Sequence, residues 1–358
     1  MNNTLSTVSP ATFPGPYRCP RTGSELRVGE GALHSAREGH SYPLIGTIPD
    51  FLAFDSRESE DERQQLVQLN DIARQKGWQA AVAELHGEHS SMYRYVTDAK
   101  RSCVLDILPL KATASILEVG PGLGQMTVPL AQRVKSVHVL EVVPGQAEFV
   151  QTRCEQVGLD NVHAAVGGDD CRLPYADASF QGVLLNLVFE WCGTRCMSEP
   201  HIASQRRLLQ EASRVTAPGG FLFLNTKNRY AIHYCIGKPD EHVHDMRFGY
   251  ALPRPIMDIA LRLSSRPRPA GCLHSYFKLR RLLRGAGFGD TKFFWAAPEM
   301  RFPERLVPAD ARSVRAARRS DTFIQGDTRS ASTLMPWIPA PLVKLFTRGL
   351  TVLATKPR

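Results

Sequence analysis

The run Ser115-Ile-Leu-Glu-Val-Gly120-Pro-Gly-Leu-Gly124 constrains the fold more than any other feature, because a short apolar segment breaks there into a glycine turn. Glycines at such a turn allow a tight reversal and let a ligand approach the backbone closely. Residues 126–134 then carry apolar side chains at helical spacing, at Met126, Val128, Leu130, Ala131 and Val134. Further apolar strands are predicted at 136–141, 161–166, 182–188 and 221–226, with a helix at 149–157 between the first two of these. Strands that alternate with helices of this length indicate a parallel sheet with right-handed crossovers. The strands read as continuous apolar runs, as expected when both faces of a sheet are covered.

The later chain departs from this alternation. Residues 277–287 read as a helix, 291–297 as a strand, and 350–356 as a last strand with no helix pattern directly before it. Two inserts, 228–275 and 298–349, are rich in Pro and Arg. Both leave from the region where strands of an open sheet end, which is where ligands bind, so both are expected to cover the site. Ahead of the sheet, 57–113 reads as a helical region and 1–56 as a small module of short strands and turns.

An apolar fraction of 43% and a charged fraction of 22% are those of an ordinary globular protein. No stretch reaches the roughly 20 apolar residues of a membrane-spanning helix. The first residues lack a basic stretch followed by an apolar one, so no secretory signal is expected and a cytoplasmic location follows by default. Eight cysteines occur without a Cys-x-x-Cys, which suits reduced, buried thiols. The net charge is +9, with much late arginine: Arg301, Arg305, Arg312, Arg315, Arg318, Arg319 and Arg329. Such a bias suits an anionic substrate, an acidic membrane surface or nucleic acid, and does not select among them.

Chemistry concentrates around the glycine turn. The second strand ends in Glu141, 21 residues after Gly120. An acid about 20 residues past such a turn is placed for ribose hydroxyls. A nicotinamide dinucleotide is disfavoured on two grounds. The loop is Glu118-x-Gly120-x-Gly122-x-Gly124 rather than Gly-x-Gly-x-x-Gly. The Glu118 carboxylate would also repel a pyrophosphate, whereas it would tolerate a cationic sulfonium that carries an ammonium group.

From Ser115 onward the chain resembles the class I S-adenosylmethionine-dependent methyltransferases. Leu117-Glu-Val-Gly-Pro-Gly-Leu-Gly124 is similar to their first motif, and Glu141 to their ribose-binding acid. Gly168-Asp169-Asp170-Cys-Arg-Leu-Pro-Tyr175 resembles the stretch whose acid and following amide hold adenine. Ser179-Phe-Gln-Gly-Val183 resembles Ser-Phe-Asp-x-Val, with Gln181 where Asp is usual. Leu209 to Gly220 resembles the helix and Pro-Gly-Gly turn before the fifth strand, and Thr351 to Pro357 the closing antiparallel strand. The resemblance implies a doubly wound, seven-stranded α/β sheet in the order 3-2-1-4-5-7-6 over 114–358. It also implies S-adenosylmethionine as cofactor, S-adenosylhomocysteine as product, and a methyl-facing position for Asn186 to Trp191.

The module at 1–56 resembles a degenerate zinc ribbon. Cys19-Pro-Arg-Thr-Gly-Ser-x-Leu26 stands where Cys-Pro-x-Cys-x-x-x-Leu is usual, and the later paired cysteines are missing. A structural zinc takes four ligands, so with Cys19, His34 and His40 alone the module is read as metal-free, held by Tyr42, Ile45, Ile48 and Phe51.

Methyl transfer chiefly requires alignment in a dry pocket, plus a base when the acceptor is a hydroxyl. The first insert supplies candidates in Tyr230, His233, Asp240 and His242, the last two in an Asp/His-rich loop (240–245) that would orient substrate, act as base or hold a metal. No metal is expected on balance. His274, Tyr276 and the second insert's arginines are candidate clamps for an anionic acceptor. The insert's layout is loosely similar to methyltransferases of glycan and secondary-metabolite biosynthesis, which points to O- or N-methylation of a small-molecule or sugar-containing acceptor. The alternatives are an RNA-modifying methyltransferase and a non-catalytic S-adenosylmethionine-binding partner. Nucleic acid is disfavoured because the aromatics are not interleaved with the basic run. The apolar segment 334–346 would line a pocket, pack on the body or join two copies in a homodimer.

Overall fold

A computed structural model describes residues 15–37, 39–54, 59–194, 199–267, 269–298, 300–319, 335 and 337–358. Arg329 lies outside the described residues. At the amino-terminal end, β1 (Leu26–Gly29), β2 (Ala32–Ser35), β3 (Ser41–Ile45) and β4 (Ile48–Pro49) pair in sequence order as an antiparallel sheet. Cys19 is buried there, its Sγ 3.1 Å from the Tyr42 hydroxyl. Three helices follow, α1 (Glu60–Lys76), α2 (Trp78–His86) and α3 (Ser91–Thr97), then a 3-10 stretch at Ala99–Ile107. Ser59 and Glu62 start α1 with a reciprocal capping box, in which each side chain accepts from the other residue's amide.

The main sheet takes β5 (Ser115–Val119), β6 (Ser136–Glu141), β7 (Val162–Val166), β8 (Phe180–Asn186) and β9 (Thr216–Lys227) in parallel. Helices α4 (Thr127–Ala131), α5 (Pro144–Gln156) and α6 (His201–Val215) make the crossovers. The inserts add α7 (Ile232–Cys235) and α8 (Arg254–Leu263), and α9 (Tyr276–Gly285) precedes β10 (Thr291–Pro298). The chain ends through β11 (Pro303–Pro308), α10 (Ala311–Arg318), α11 (Val343–Phe346) and β12 (Gly349–Thr355). The sheet order is β11-β10-β12-β9-β8-β5-β6-β7, with β12 antiparallel to both β9 and β10. Seven of these strands stand in the order expected from sequence.

The eighth, β11, falls inside the second insert and was not anticipated. Prolines bound it at both ends, and a residue without an amide donor is tolerated in a sheet only at an edge, where β11 lies. Helix α4 is also shorter than the periodicity suggests, ending at Ala131 rather than Val134.

Both faces of the sheet are buried, as the continuous apolar runs require. Alternate residues divide between them. Leu117, Val183 and Leu222 join one core with Leu209 of α6 and Leu283 of α9. Ile116, Val139 and Leu184 join the other with Leu130 of α4 and Val150 of α5. The amino-terminal sheet packs into the first core through Tyr17, Leu33, Tyr42 and Phe51. Tyr17 stacks on Tyr175 with ring centroids 5.3 Å apart, and Tyr175 meets Phe180 edge-on at 5.0 Å. The Phe51 amide donates to the Val166 carbonyl at 2.8 Å, which ties the segment after β4 to the edge strand β7. The first insert builds a small core of its own around Tyr234, Val243, Tyr250 and Met257. Met335, Ala340 and Val343 pack against Trp295 and Val307, while Trp337 stays exposed. No helix among the described residues is long and apolar enough to cross a membrane.

Tyr175 is fully buried and joins the amino-terminal sheet to the main one. Tyr175→Ala is expected to lower the unfolding free energy in urea by about 3–5 kcal/mol, the usual effect of emptying a large aromatic site. A loss below about 1 kcal/mol would show that the stack contributes little.

Candidate active site

The glycine turn closes against the rest of the sheet's carboxyl edge. Gly120 and Gly122 both adopt left-handed backbone, with φ of 69° and 58°. A Cβ on Gly120 would lie 2.6 Å from Val188 Cγ2, in the loop after β8, so no other residue fits there. A Cβ on Gly122 would meet only the Gln125 amide, at 3.7–3.8 Å, which leaves its outer side open to a ligand. Gln125 Oε1 is itself buried and has no hydrogen-bond partner, an acceptor lacking a donor beside the loop. Gly124, also left-handed, packs on Val150 of α5.

Acids surround this turn. Glu141 is buried, and one of its oxygens accepts from the Gly122 amide at 3.1 Å. The other accepts from the amides of Val142 at 2.8 Å and Val143 at 3.2 Å. Glu118 is buried at the end of β5 and accepts from the Thr127 hydroxyl at 2.7 Å. Burial pushes its carboxyl up to about 7, helped by the nearby Glu141 and opposed by Thr127 and Arg153. Asp169 and Asp170 stand after β7, as expected from sequence. Asp170 accepts from the backbone and guanidinium of Arg172 at 2.9 and 2.8 Å. Asp169 meets the chain itself, accepting from the amides of Ala53 at 3.0 Å and Phe54 at 2.9 Å. Burial raises its carboxyl above the ordinary range, although both amides pull it down.

After β8, Asn186 Oδ1 accepts from Asn225 Nδ2 at 3.0 Å, and Asn225 Oδ1 accepts from the Thr351 hydroxyl at 2.9 Å, which links three strands at their edge. Glu190 is buried and accepts from the Thr226 hydroxyl at 2.7 Å, with its carboxyl raised by burial. Trp191 is half-exposed, and its ring lies 4.0 Å from that of His242.

The first insert brings part of its predicted set together. Asp240 accepts from the His242 amide at 3.0 Å and pairs with His242 Nδ1 at 2.7 Å. Its second oxygen accepts from Lys227 Nζ at 2.8 Å and the Tyr234 hydroxyl at 2.5 Å. Burial alone would raise the Asp240 carboxyl, but the His242 and Lys227 contacts outweigh it and hold the group far below the usual range. An ionised Asp240 fixes the proton on Nδ1, leaving Nε2 as the ring's acceptor. That Nε2 is buried without a hydrogen-bond partner. Tyr230 and His233 lie outside the pair: the Tyr230 ring is exposed, and the His233 ring lies 4.0 Å from that of Tyr234, tilted by 54°. Burial, then Arg348, pushes His233 down to about 4. Asp240, Glu241 and His242 hold ligand atoms within 4.8 Å of one another, the spacing of a metal group, but the Lys227 ammonium bridges both carboxylates.

Beside this pair opens a cleft of about 770 Å3, lined by Trp191, Arg229, Tyr250, Arg254 and Met257 among others. The proposed clamps His274 and Tyr276 are placed elsewhere: His274 Nε2 meets Gln205 Oε1 at 2.7 Å, and Tyr276 packs on Phe293 at 4.5 Å. Sequence reasoning missed Gln125, Lys227 and Arg254. Lys227 carried a signal, since it ends the fifth parallel strand, where polar side chains reach the ligand side.

The stretch that holds the glycine turn and its acids is similar to known proteins. Residues 117–224 match a family described as a methyltransferase domain. The chain is 25% identical over 206 residues to the biotin biosynthesis bifunctional protein BioHC of Cellvibrio japonicus, covering 56% of this chain and 34% of that protein. It is 27% identical to a malonyl-[acyl-carrier protein] O-methyltransferase of Dechloromonas aromatica, covering 42% of this chain and 52% of the other. The chain therefore spans about a third to a half of the length of these relatives. A solved phosphoethanolamine N-methyltransferase of Haemonchus contortus, bound to S-adenosylhomocysteine, overlaps 82% of this chain and 61% of its own at 15% identity and a TM-score of 0.43. The glycine turn, its acids and the family match lie in one stretch, and over 117–224 the chain carries a class I S-adenosylmethionine-dependent methyltransferase domain.

Proposed function

We propose that the whole chain is an S-adenosylmethionine-dependent methyltransferase acting on oxygen or nitrogen of a small-molecule or sugar-containing acceptor. The observation that carries this reading is the acid-lined glycine turn, where Glu118 and Glu141 flank a loop open at Gly122. Two buried carboxyls would oppose a pyrophosphate and favour a cationic ligand. The unpartnered Gln125 Oε1 fits an ammonium donor at the same place. S-adenosylmethionine, when bound, supplies a methyl group already activated on a sulfonium.

The chain's own residues would then do three things. Glu141, Glu118 and Gln125 would hold the cofactor's polar groups, and Asp169 and Asp170 would stand at its base end. Asn186 and Glu190 would border the methyl position. The Asp240–His242 pair would take the acceptor's proton at Nε2, with Asp240 keeping the ring oriented. Trp191 covers that ring and also walls the cleft, so an acceptor in the cleft would reach Nε2 by displacing the indole.

Calorimetric titration with S-adenosylmethionine and S-adenosylhomocysteine, beside NAD, tests the cofactor assignment. Binding of both sulfur ligands and not NAD is expected, with at least a tenfold loss in Glu141→Ala; no binding of either would sink the reading. Affinity for S-adenosylmethionine is expected to rise with pH between about 6 and 8, because Glu118 must lose its proton before it can attract a cation. Glu118→Gln should flatten that profile. For the acceptor's proton, His242→Gln and Asp240→Asn are each expected to lower turnover by about a hundredfold or more while S-adenosylhomocysteine affinity stays the same. Full turnover in both variants would leave the pair a structural role only.

A further inference from the structure

We propose that the cleft beside α8 binds the oxyanion of an amphipathic acceptor, with Arg229 and Arg254 as the recognition pair. The binding site stands on its own geometry, while its role as acceptor site rests on the methyl-transfer reading above. Arg229 is 5% exposed, and its guanidinium donates to the Leu252 carbonyl at 2.7 Å. Arg254 donates to the Leu273 carbonyl at 3.0 Å and contacts Cys272 Sγ at 3.0 Å. Burial, and then the neighbouring Arg254, hold Arg229 below the usual arginine range. Among the described residues neither guanidinium forms an ion pair with a carboxylate.

That arrangement differs from the other covered arginines of this chain. Arg207 and Arg214 are paired with Glu199 and Glu211. Arg101 and Arg153 lie over the rings of Tyr95 and Trp78 at 3.4 and 3.8 Å, whereas the rings nearest Arg229 are 5.7 and 5.8 Å away. A charge removed from water without a counterion, as at Arg229, is destabilising, and an oxyanion held between it and the half-buried Arg254 offsets that penalty. The cleft also takes in Arg262 and Arg266, against the carboxylates of Asp258 and the Arg207-bound Glu199. Met257, Leu261 and Leu273 supply apolar wall, and the volume is that of a small-molecule site. A ligand that matches these walls carries a carboxylate or phosphate on an apolar body.

The outer face of α8 bears on where such a ligand comes from. Ile256, Ile259 and Leu263 are exposed at positions i, i+3 and i+7, beside the exposed Arg262 and Arg266. An apolar stripe flanked by arginines suits an acidic lipid surface. The same head-group chemistry is offered by a free amphiphile in solution.

The test is equilibrium binding of monomeric dodecyl phosphate to the full chain, beside dodecanol and dodecyltrimethylammonium. Dodecyl phosphate is expected to bind at least about tenfold more tightly than either control, the effect of a charge-assisted hydrogen bond to a buried cation. Arg254→Gln is expected to weaken dodecyl phosphate about tenfold and leave dodecanol within about twofold. Equal binding of all three amphiphiles, or no change in Arg254→Gln with its circular dichroism intact, would overturn the proposal. Sedimentation with phosphatidylglycerol vesicles separates the sources. Vesicle binding lost in Ile259→Ser/Leu263→Ser, with dodecyl phosphate binding retained, supports a lipid-borne oxyanion. Dodecyl phosphate binding without vesicle binding supports a free one. A parallel S-adenosylhomocysteine titration keeps the readings distinguishable: cofactor binding without oxyanion preference sinks the cleft alone, and oxyanion binding without cofactor binding sinks methyl transfer alone.

Discussion

The carboxyl edge of the sheet is organised by the Glu141 carboxylate, which gathers the amides of Gly122, Val142 and Val143. This contact joins the turn after β5 to the turn after β6 and fixes the loop's open side. Gly122 makes this contact from a left-handed backbone conformation, which glycine adopts without steric cost. Glu118, on the neighbouring strand and accepting from the Thr127 hydroxyl, is pushed toward neutrality by burial. Two buried acids sit against one loop.

A second dependence runs from the amino-terminal sheet. Phe51 donates to β7, and the two residues that follow Leu52 place their amides on Asp169. The sheet's carboxyl edge is therefore partly built by residues more than a hundred positions earlier in the chain. Tyr17, Tyr42 and Phe51 fill the same core as α6 and α9, so the sheet at 26–49 is packed as part of the fold rather than suspended from it. Any loosening of that packing reaches Asp169 directly.

How far the sequence spoke depended on how local each signal was. The order of seven strands was legible because buried parallel strands write themselves as unbroken apolar runs such as Ile116 to Val119 and Val183 to Leu185. The turn at Gly120 and Gly122 and the place of Glu141 at the end of β6 were legible because turn chemistry and spacing are local. The strand at Pro303–Pro308 was hidden, because its pairing with β10 is set by tertiary contact and its prolines argue for a loop. Asp240 and His242 were legible as members of an Asp/His-rich loop; their pairing and the part played by Lys227 were not, since Lys227 arrives from β9. Arginine frequency pointed to the second insert, whereas the two guanidiniums that line the cleft without a carboxylate come from the first. Frequency reports exposed charge well and buried charge poorly.

The most direct measurement is hydrogen exchange, read by mass spectrometry, with and without S-adenosylhomocysteine. A ligand seated on the glycine turn should slow exchange in peptides covering 117–124 and 139–143, and also in 50–54 through Asp169. Protection absent from 117–124, or confined to the inserts, would contradict the assignment of this edge as the cofactor site.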